Sequence, residues 1–170
     1  MIKKQNNFNV NYNNLILSAA INYQWNDLKI FVKSLRKVSN DRVIFIVSKD
    51  INIETKKKLD SYKIDQYVYS NTRNIKNFYF DVAQRRYGIY EYILKKLKKK
   101  PKKILLTDSR DVVFQSNIFS QIFKKPINFF LENERILNDS RNKKWLIRTV
   151  GIKNFENIKN EFISCSGTTL

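Results

Sequence analysis

Short apolar runs alternate with longer stretches whose apolar residues recur every three or four positions, and this alternation is the tightest constraint on the fold. Leu15-Ile16-Leu17-Ser18-Ala19-Ala20 is bounded by polar residues and reads as a buried strand. Asn26 or Asp27 is placed to cap a following helix, in which Leu28, Phe31, Val32, Leu35 and Val38 share one face. Residues 43–47 form a second β-branched and aromatic run, 53–62 a short helix and 64–69 a third strand. The longest helical pattern covers 81–99, with Val82, Ile89, Tyr90, Ile93, Leu94 and Leu97 on one face, and Pro101 ends it. Residues 104–107 form a fourth strand; 112–114, 127–131 and 162–170 are further strand-like runs. The pattern predicts an α/β domain with a mainly parallel sheet flanked by helices, a Rossmann-like arrangement whose ligands bind beyond the carboxyl ends of the strands.

The expected organisation is a polar segment over residues 1–14 followed by one domain over 15–170. The last run stops inside an apolar pattern, which predicts a domain incomplete at its C-terminus. No apolar stretch approaches the roughly 18 residues of a membrane span, and a reducing cytoplasmic location is the default expectation.

The chain has no histidine and one cysteine, Cys165. Ser-His and Cys-His catalysis, histidine-ligated metals, an internal disulfide and a cysteine zinc cluster are therefore excluded, leaving carboxylates as the obvious catalytic or metal-binding groups. The 33 Lys and Arg against 15 Asp and Glu give a net charge of +18, which favours anionic partners: phosphorylated ligands, an anionic membrane surface or nucleic acid. Asn, Ile and Lys share A- and T-rich codons, so base composition contributes to the lysine excess.

The acidic turn Thr107-Asp108-Ser109-Arg110-Asp111 follows the fourth strand and precedes Val112-Val113-Phe114. A strand buried on both faces delivers its last residue to the carboxyl edge of the sheet, where two carboxylates suit Mn2+ or Mg2+. The structural alternative is a polar turn in which Arg110 neutralises one aspartate. At about 100° per residue, Arg86 falls in the middle of the apolar face of its helix and Arg85 to one side. A guanidinium there requires an anion, whether the phosphates of a ligand or the aspartates of the turn; a structural ion pair is the competing assignment. Asn22, Tyr23 and Asp27 lie where the first strand turns into the first helix, a position suited to holding a nucleotide, although Asp27 also fits a cap. Residues 95–103 include seven lysines, which fits either a solvated helix end or a nucleic-acid or membrane contact.

The apolar strand, acidic motif and Val-Val-Phe resemble the Asp-x-Asp region of nucleotide-diphospho-sugar transferases with the A-type glycosyltransferase fold, including glycogenin-like and lipopolysaccharide galactosyltransferase enzymes. The order of the other segments is similar: a first strand and loop around the nucleotide, an arginine-bearing helix before the motif, and a later Asn-Ser-Gly segment. Here that segment reads Cys165-Ser166-Gly167, and two residues rather than one separate the aspartates. The resemblance implies transfer of a sugar from a nucleoside diphosphate, most often UDP, to a glycan or other acceptor hydroxyl. It implies a donor site built from Ala20, Asn22, Tyr23, Arg86, Asp108, Ser109, Ser166 and Gly167, with the metal on Asp108 and Asp111. It assigns no base, because the downstream acceptor region and histidine ligand of those enzymes have no counterpart here. A non-catalytic basic protein that binds nucleic acid or anionic surfaces, and an inactive sugar-nucleotide-binding module, are the competing classes.

Overall fold

The computed structural model describes residues 9–69, 78–122 and 125–169, without the side chains of 78–85 and 165–169. The chain forms two compact units, Met1–Lys124 and Lys125–Leu170. In the first, β1 (Asn11–Ala20), α1 (Trp25–Val38), β2 (Asp41–Ser48), α2 (Ile53–Ser61), β3 (Asp65–Tyr69), α3 (Phe78–Lys96) and β4 (Lys103–Thr107) follow one another. The strands pair in parallel in the order β3-β2-β1-β4. This is the α/β sheet flanked by helices that the alternation predicts.

Alternation along the strands sorts the core into two faces. Leu15 and Leu17 of β1 and Ile44 and Ile46 of β2 pack with Tyr90 and Ile93 of α3. The intervening residues point the other way: Phe45 meets Phe31 of α1 edge-on at 5.4 Å, and Leu28, Val32 and Leu35 are buried on the same face of α1. Ile16, Leu17, Val43, Phe45, Ile46 and Val47 have essentially no exposed surface, which explains why these strands read as continuous apolar runs. From β1 the chain builds outward through β2 to β3, then returns to lay β4 on the other side of β1. The crossing point therefore lies between the carboxyl ends of β1 and β4, where an open α/β sheet leaves a crevice for ligands.

Several boundaries differ from those expected, for physical reasons. β1 begins at Asn11 because Asn11 and Asn14 donate side-chain hydrogen bonds of 2.7 and 3.0 Å to Asp41 on the neighbouring strand, an anchor that hydropathy does not register. Gln24, rather than Asn26 or Asp27, precedes α1, and Asp27 sits inside the first turn, its carboxylate accepting from the Gln24 N–H at 2.9 Å. Val112-Val113-Phe114 is irregular instead of extended: Phe114 packs edge-on against Phe31 at 5.0 Å, and its N–H donates to the Ser34 hydroxyl at 3.1 Å. Its apolarity serves to fasten the chain onto α1.

The second unit contains β5 (Phe129–Arg135), α4 (Ser140–Val150), α5 (Ile152–Ile158) and β6 (Phe162–Thr169). β5 and β6 are antiparallel, and Ile136, Phe155 and Ile163 form a small core with Leu146 and Ile147 of α4 against it. Both helices lie outside the elements expected from the sequence, although the apolar residues of α4 fall on one face. α4 has no fully buried residue, and its start depends on the Asp139 carboxylate, which accepts from the Asn142 N–H at 2.6 Å. Gly151, with φ of +82°, separates the helices, a conformation that favours glycine. Among the described residues no helix is long and apolar enough to cross a membrane.

Candidate functional site at the carboxyl edge of the sheet

Because α3 joins the carboxyl end of β3 to the amino end of β4, its earlier turns lie toward the carboxyl edge. Arg86 sits one turn before Tyr90 and so shares the sheet-facing side of α3. Asp108 comes two residues after Leu106, which packs toward α3, and continues that alternation past the end of β4. The two side chains meet: Arg86 Nη1 donates to Asp108 Oδ1 at 2.5 Å. The arginine side chain is 13% exposed and the aspartate 51%, so the cation is enclosed and the carboxylate opens to solvent. Arg86 Nη2 also reaches the Tyr87 hydroxyl at 3.2 Å. Burial works to lower the Arg86 pKa, but the hydrogen bonds and charge of Asp108 and Tyr87 prevail and raise it, so the guanidinium is a permanent cation. Solvent access to Asp108 limits the pair to about 1 kcal/mol of stability. Its larger effect is to fix the orientation of the carboxylate.

The neighbouring residues divide between building the edge and exposing chemistry on it. Ser109 is buried and donates to the Ala19 carbonyl at 2.8 Å, tying the end of β4 to the end of β1. Arg110 and Asp111 are exposed. Asn22 has φ of +61°, and Ser48 at the end of β2 holds it there: the Ser48 hydroxyl accepts from the Asn22 N–H at 2.8 Å and donates to its side-chain oxygen at 2.9 Å. A cavity of about 100 Å3 opens at this turn, lined by Ala20, Asn22, Tyr23, Gln24, Ser48 and Asp50 among others. Ligand pockets are typically about 300–1,000 Å3, so this cavity is too small for more than one moiety of a larger ligand.

The first unit thus carries Ala20, Asn22, Tyr23, Arg86, Asp108, Ser109 and Asp111 at or near one edge of one sheet. Arg86 touches Asp108; Ala20, Asn22 and Tyr23 line the cavity. Ser166 and Gly167 lie on β6 in the second unit, and their side-chain surroundings are outside the described residues. Ser48, Asp50 and Tyr87 were not anticipated from the sequence. Pairing of Ala20 with Val47 brings whatever follows β2 to the edge that follows β1, so polar residues at 48 and 50 had a positional signal once strand order was known. A larger groove of about 920 Å3 runs beside β3, lined by residues that include Arg42, Tyr67, Tyr92 and Lys96. It contains none of the anticipated site residues.

Compared with known protein families and with curated proteins, the chain matches none.

Proposed function

We propose that the chain binds a nucleoside-diphosphate sugar at the carboxyl edge of the parallel sheet and transfers the sugar to an acceptor hydroxyl with the help of Mn2+ or Mg2+. The observation that carries this reading is the meeting of Arg86 with the half-exposed Asp108 at the crossing point between β1 and β4. Phosphates are recognised by paired guanidinium donors, and the crevice of an open α/β sheet lies at that point.

The residues fit a hard divalent cation. Asp108 and Asp111 offer carboxylate oxygens in solvent, and the chain has no histidine to favour a softer ion. Among the described residues no three carboxylate or cysteine side chains gather into one group, so an ion here would take one or two carboxylates and complete its shell with phosphate oxygens and water. Such an ion, when bound, neutralises the negative charge that develops on the departing diphosphate. Arg86 holds Asp108 in place through one carboxylate oxygen and supplies a fixed positive charge to the same region. The turn at Asn22 and Tyr23 grips the nucleoside end of the donor, with Ser48 locking its backbone.

Calorimetry against UDP and GDP, with and without Mn2+, tests the reading. Binding should require the metal. Asp111→Asn should weaken metal-dependent UDP binding about tenfold or more without moving the unfolding midpoint, because Asp111 is an exposed turn residue. Asp108→Asn should weaken it as much and also cost about 1 kcal/mol of stability, since it removes the charge partner of Arg86. Parent-like metal-dependent binding in both variants would exclude the proposed site.

A further inference from the structure

The second unit carries a surface that the reading above leaves unused. α4 contains Arg141, Lys143, Lys144 and Arg148 and no acidic residue. At 100° per residue, Leu146 and Ile147 flank the inward side, and both pack against the core of Ile136, Phe155 and Ile163. Lys143 shares that side, its ammonium 6.0 Å from the centre of the Phe155 ring. Arg141, Trp145 and Arg148 are spaced four and three residues apart and so occupy the opposite, outward side, with Lys144 adjoining them. The indole is 48% exposed, and all three of these cations are exposed.

The nearest acids in sequence are otherwise engaged: Asp139 caps α4, Glu134 accepts from the Asn138 side-chain amide at 2.9 Å, and Glu156 pairs with Lys159 at 2.6 Å. Among the described residues Arg141, Lys144 and Arg148 form no ion pair, so the outward face presents one amphipathic aromatic surrounded by positive charge. Tryptophan settles at the headgroup level of a bilayer, and lysine and arginine beside it bind anionic headgroups while their alkyl stems lie on apolar surface. Single-stranded nucleic acid is favoured instead by a groove with successive aromatic platforms. This face is the convex side of one helix and has a single aromatic residue.

We infer that the outward face of α4 docks the protein on an anionic lipid surface, with Trp145 as the interfacial anchor and Arg141, Lys144 and Arg148 contacting the headgroups. The contact is reversible, since each cation near such a surface contributes about 1 kcal/mol and one indole adds a modest apolar term. It is independent of the donor-site reading.

The test is co-sedimentation of the full chain with phosphatidylcholine vesicles, with or without phosphatidylglycerol. Binding should require phosphatidylglycerol and fall about tenfold or more in the Arg141→Glu/Arg148→Glu double variant. Lys98→Glu/Lys99→Glu makes the same charge change in the lysine-rich run and should lose only a fewfold. Trp145→Ala, which preserves the charge, should also lose severalfold, with circular dichroism verifying the fold. In a Trp25→Phe background, the emission of Trp145 should shift to the blue on anionic vesicles and stay unchanged on neutral ones. Equal losses from the two double variants, or an unshifted Trp145, would overturn the inference by reducing it to diffuse charge. Preferential binding of oligo-uridine over anionic vesicles through Trp145 would overturn it in favour of nucleic acid.

Discussion

The two edges of the parallel sheet both carry an arginine, an aspartate and a serine, and they use them in opposite ways. At the amino edge, Arg36 Nε donates to the Tyr62 carbonyl at 2.8 Å, Nη1 to those of Ser39 and Asp41 at 3.3 and 2.8 Å, and Nη2 to that of Lys63 at 3.0 Å. Burial pushes its pKa down to about 10, with Asp41 and Asp65 pulling the other way. Asp41 is 1% exposed and accepts from Asn11, Asn14 and Ser39. Each of these strong groups is met from within the chain. At the carboxyl edge the Arg86 side chain is also largely enclosed, but Asp108 is half in solvent and Asp111 is exposed. Residue type therefore does not distinguish a structural edge from a chemical one. What distinguishes them is whether the carboxylate has coordination to spare.

The sharpest way to break this contrast is at Asp41. Asp41→Ala should cost about 3 kcal/mol, because three side-chain donors lose a charged acceptor in a buried site. Urea unfolding should show a lower midpoint with an unchanged slope. Metal-dependent UDP affinity, measured well below the unfolding midpoint, should stay within a fewfold of the parent. A selective loss of that affinity with stability intact would mean that the two edges are coupled and that the contrast is misdrawn.

Arg86→Lys comes next in size. Lysine keeps the charge and loses the planar fork that reaches both Asp108 and the Tyr87 hydroxyl. UDP affinity should fall about tenfold and uridine affinity hardly at all, since only the diphosphate carries the charge that Arg86 and the carboxylate it positions are proposed to serve. Equal losses for the two ligands, or a lower unfolding midpoint with unchanged affinity, would make Arg86 the counterpart of Arg36, a structural cation.

The sheet was readable in the sequence because β1 and β2 are buried on both faces and β4 on one face and partly on the other, and such burial writes itself as unbroken apolar runs. Arg86 was readable for a related reason: a charge on the apolar phase of a helix needs an anion, and Asp108 was among the anions that could meet it. Other features rest on single contacts or short patterns. Asn11 and Asn14 belong to β1 through bonds to one buried aspartate, and α4 has only Leu146 and Ile147 packed inward among many polar residues, although they fall on one face. Val112-Val113-Phe114 was misleading because an apolar triplet fastened over a helix is indistinguishable from a short strand by composition. The division into Met1–Lys124 and Lys125–Leu170 had no marker of linker composition at the boundary.

The smallest expected effect sharpens the carboxyl edge itself, where the turn and the acidic motif are assigned to opposite ends of one donor. Ser48 contacts the turn through two hydrogen bonds to Asn22, one to the backbone N–H and one from the hydroxyl to the side-chain oxygen. Ser48→Ala removes both and leaves Asn22 to hold a φ of +61° unaided. The loss in stability should be about 1 kcal/mol, the net worth of ordinary hydrogen bonds in a half-buried place. If the turn grips the nucleoside end, UDP and uridine should weaken together by a similar severalfold factor, because the shared nucleoside is what the turn holds. Arg86→Lys should instead separate the two ligands, which makes the pair of variants a two-sided test of where the diphosphate lies. A Ser48→Ala protein that loses UDP affinity while keeping uridine affinity would place the phosphates at the turn. The roles of the turn and the acidic motif would then be exchanged.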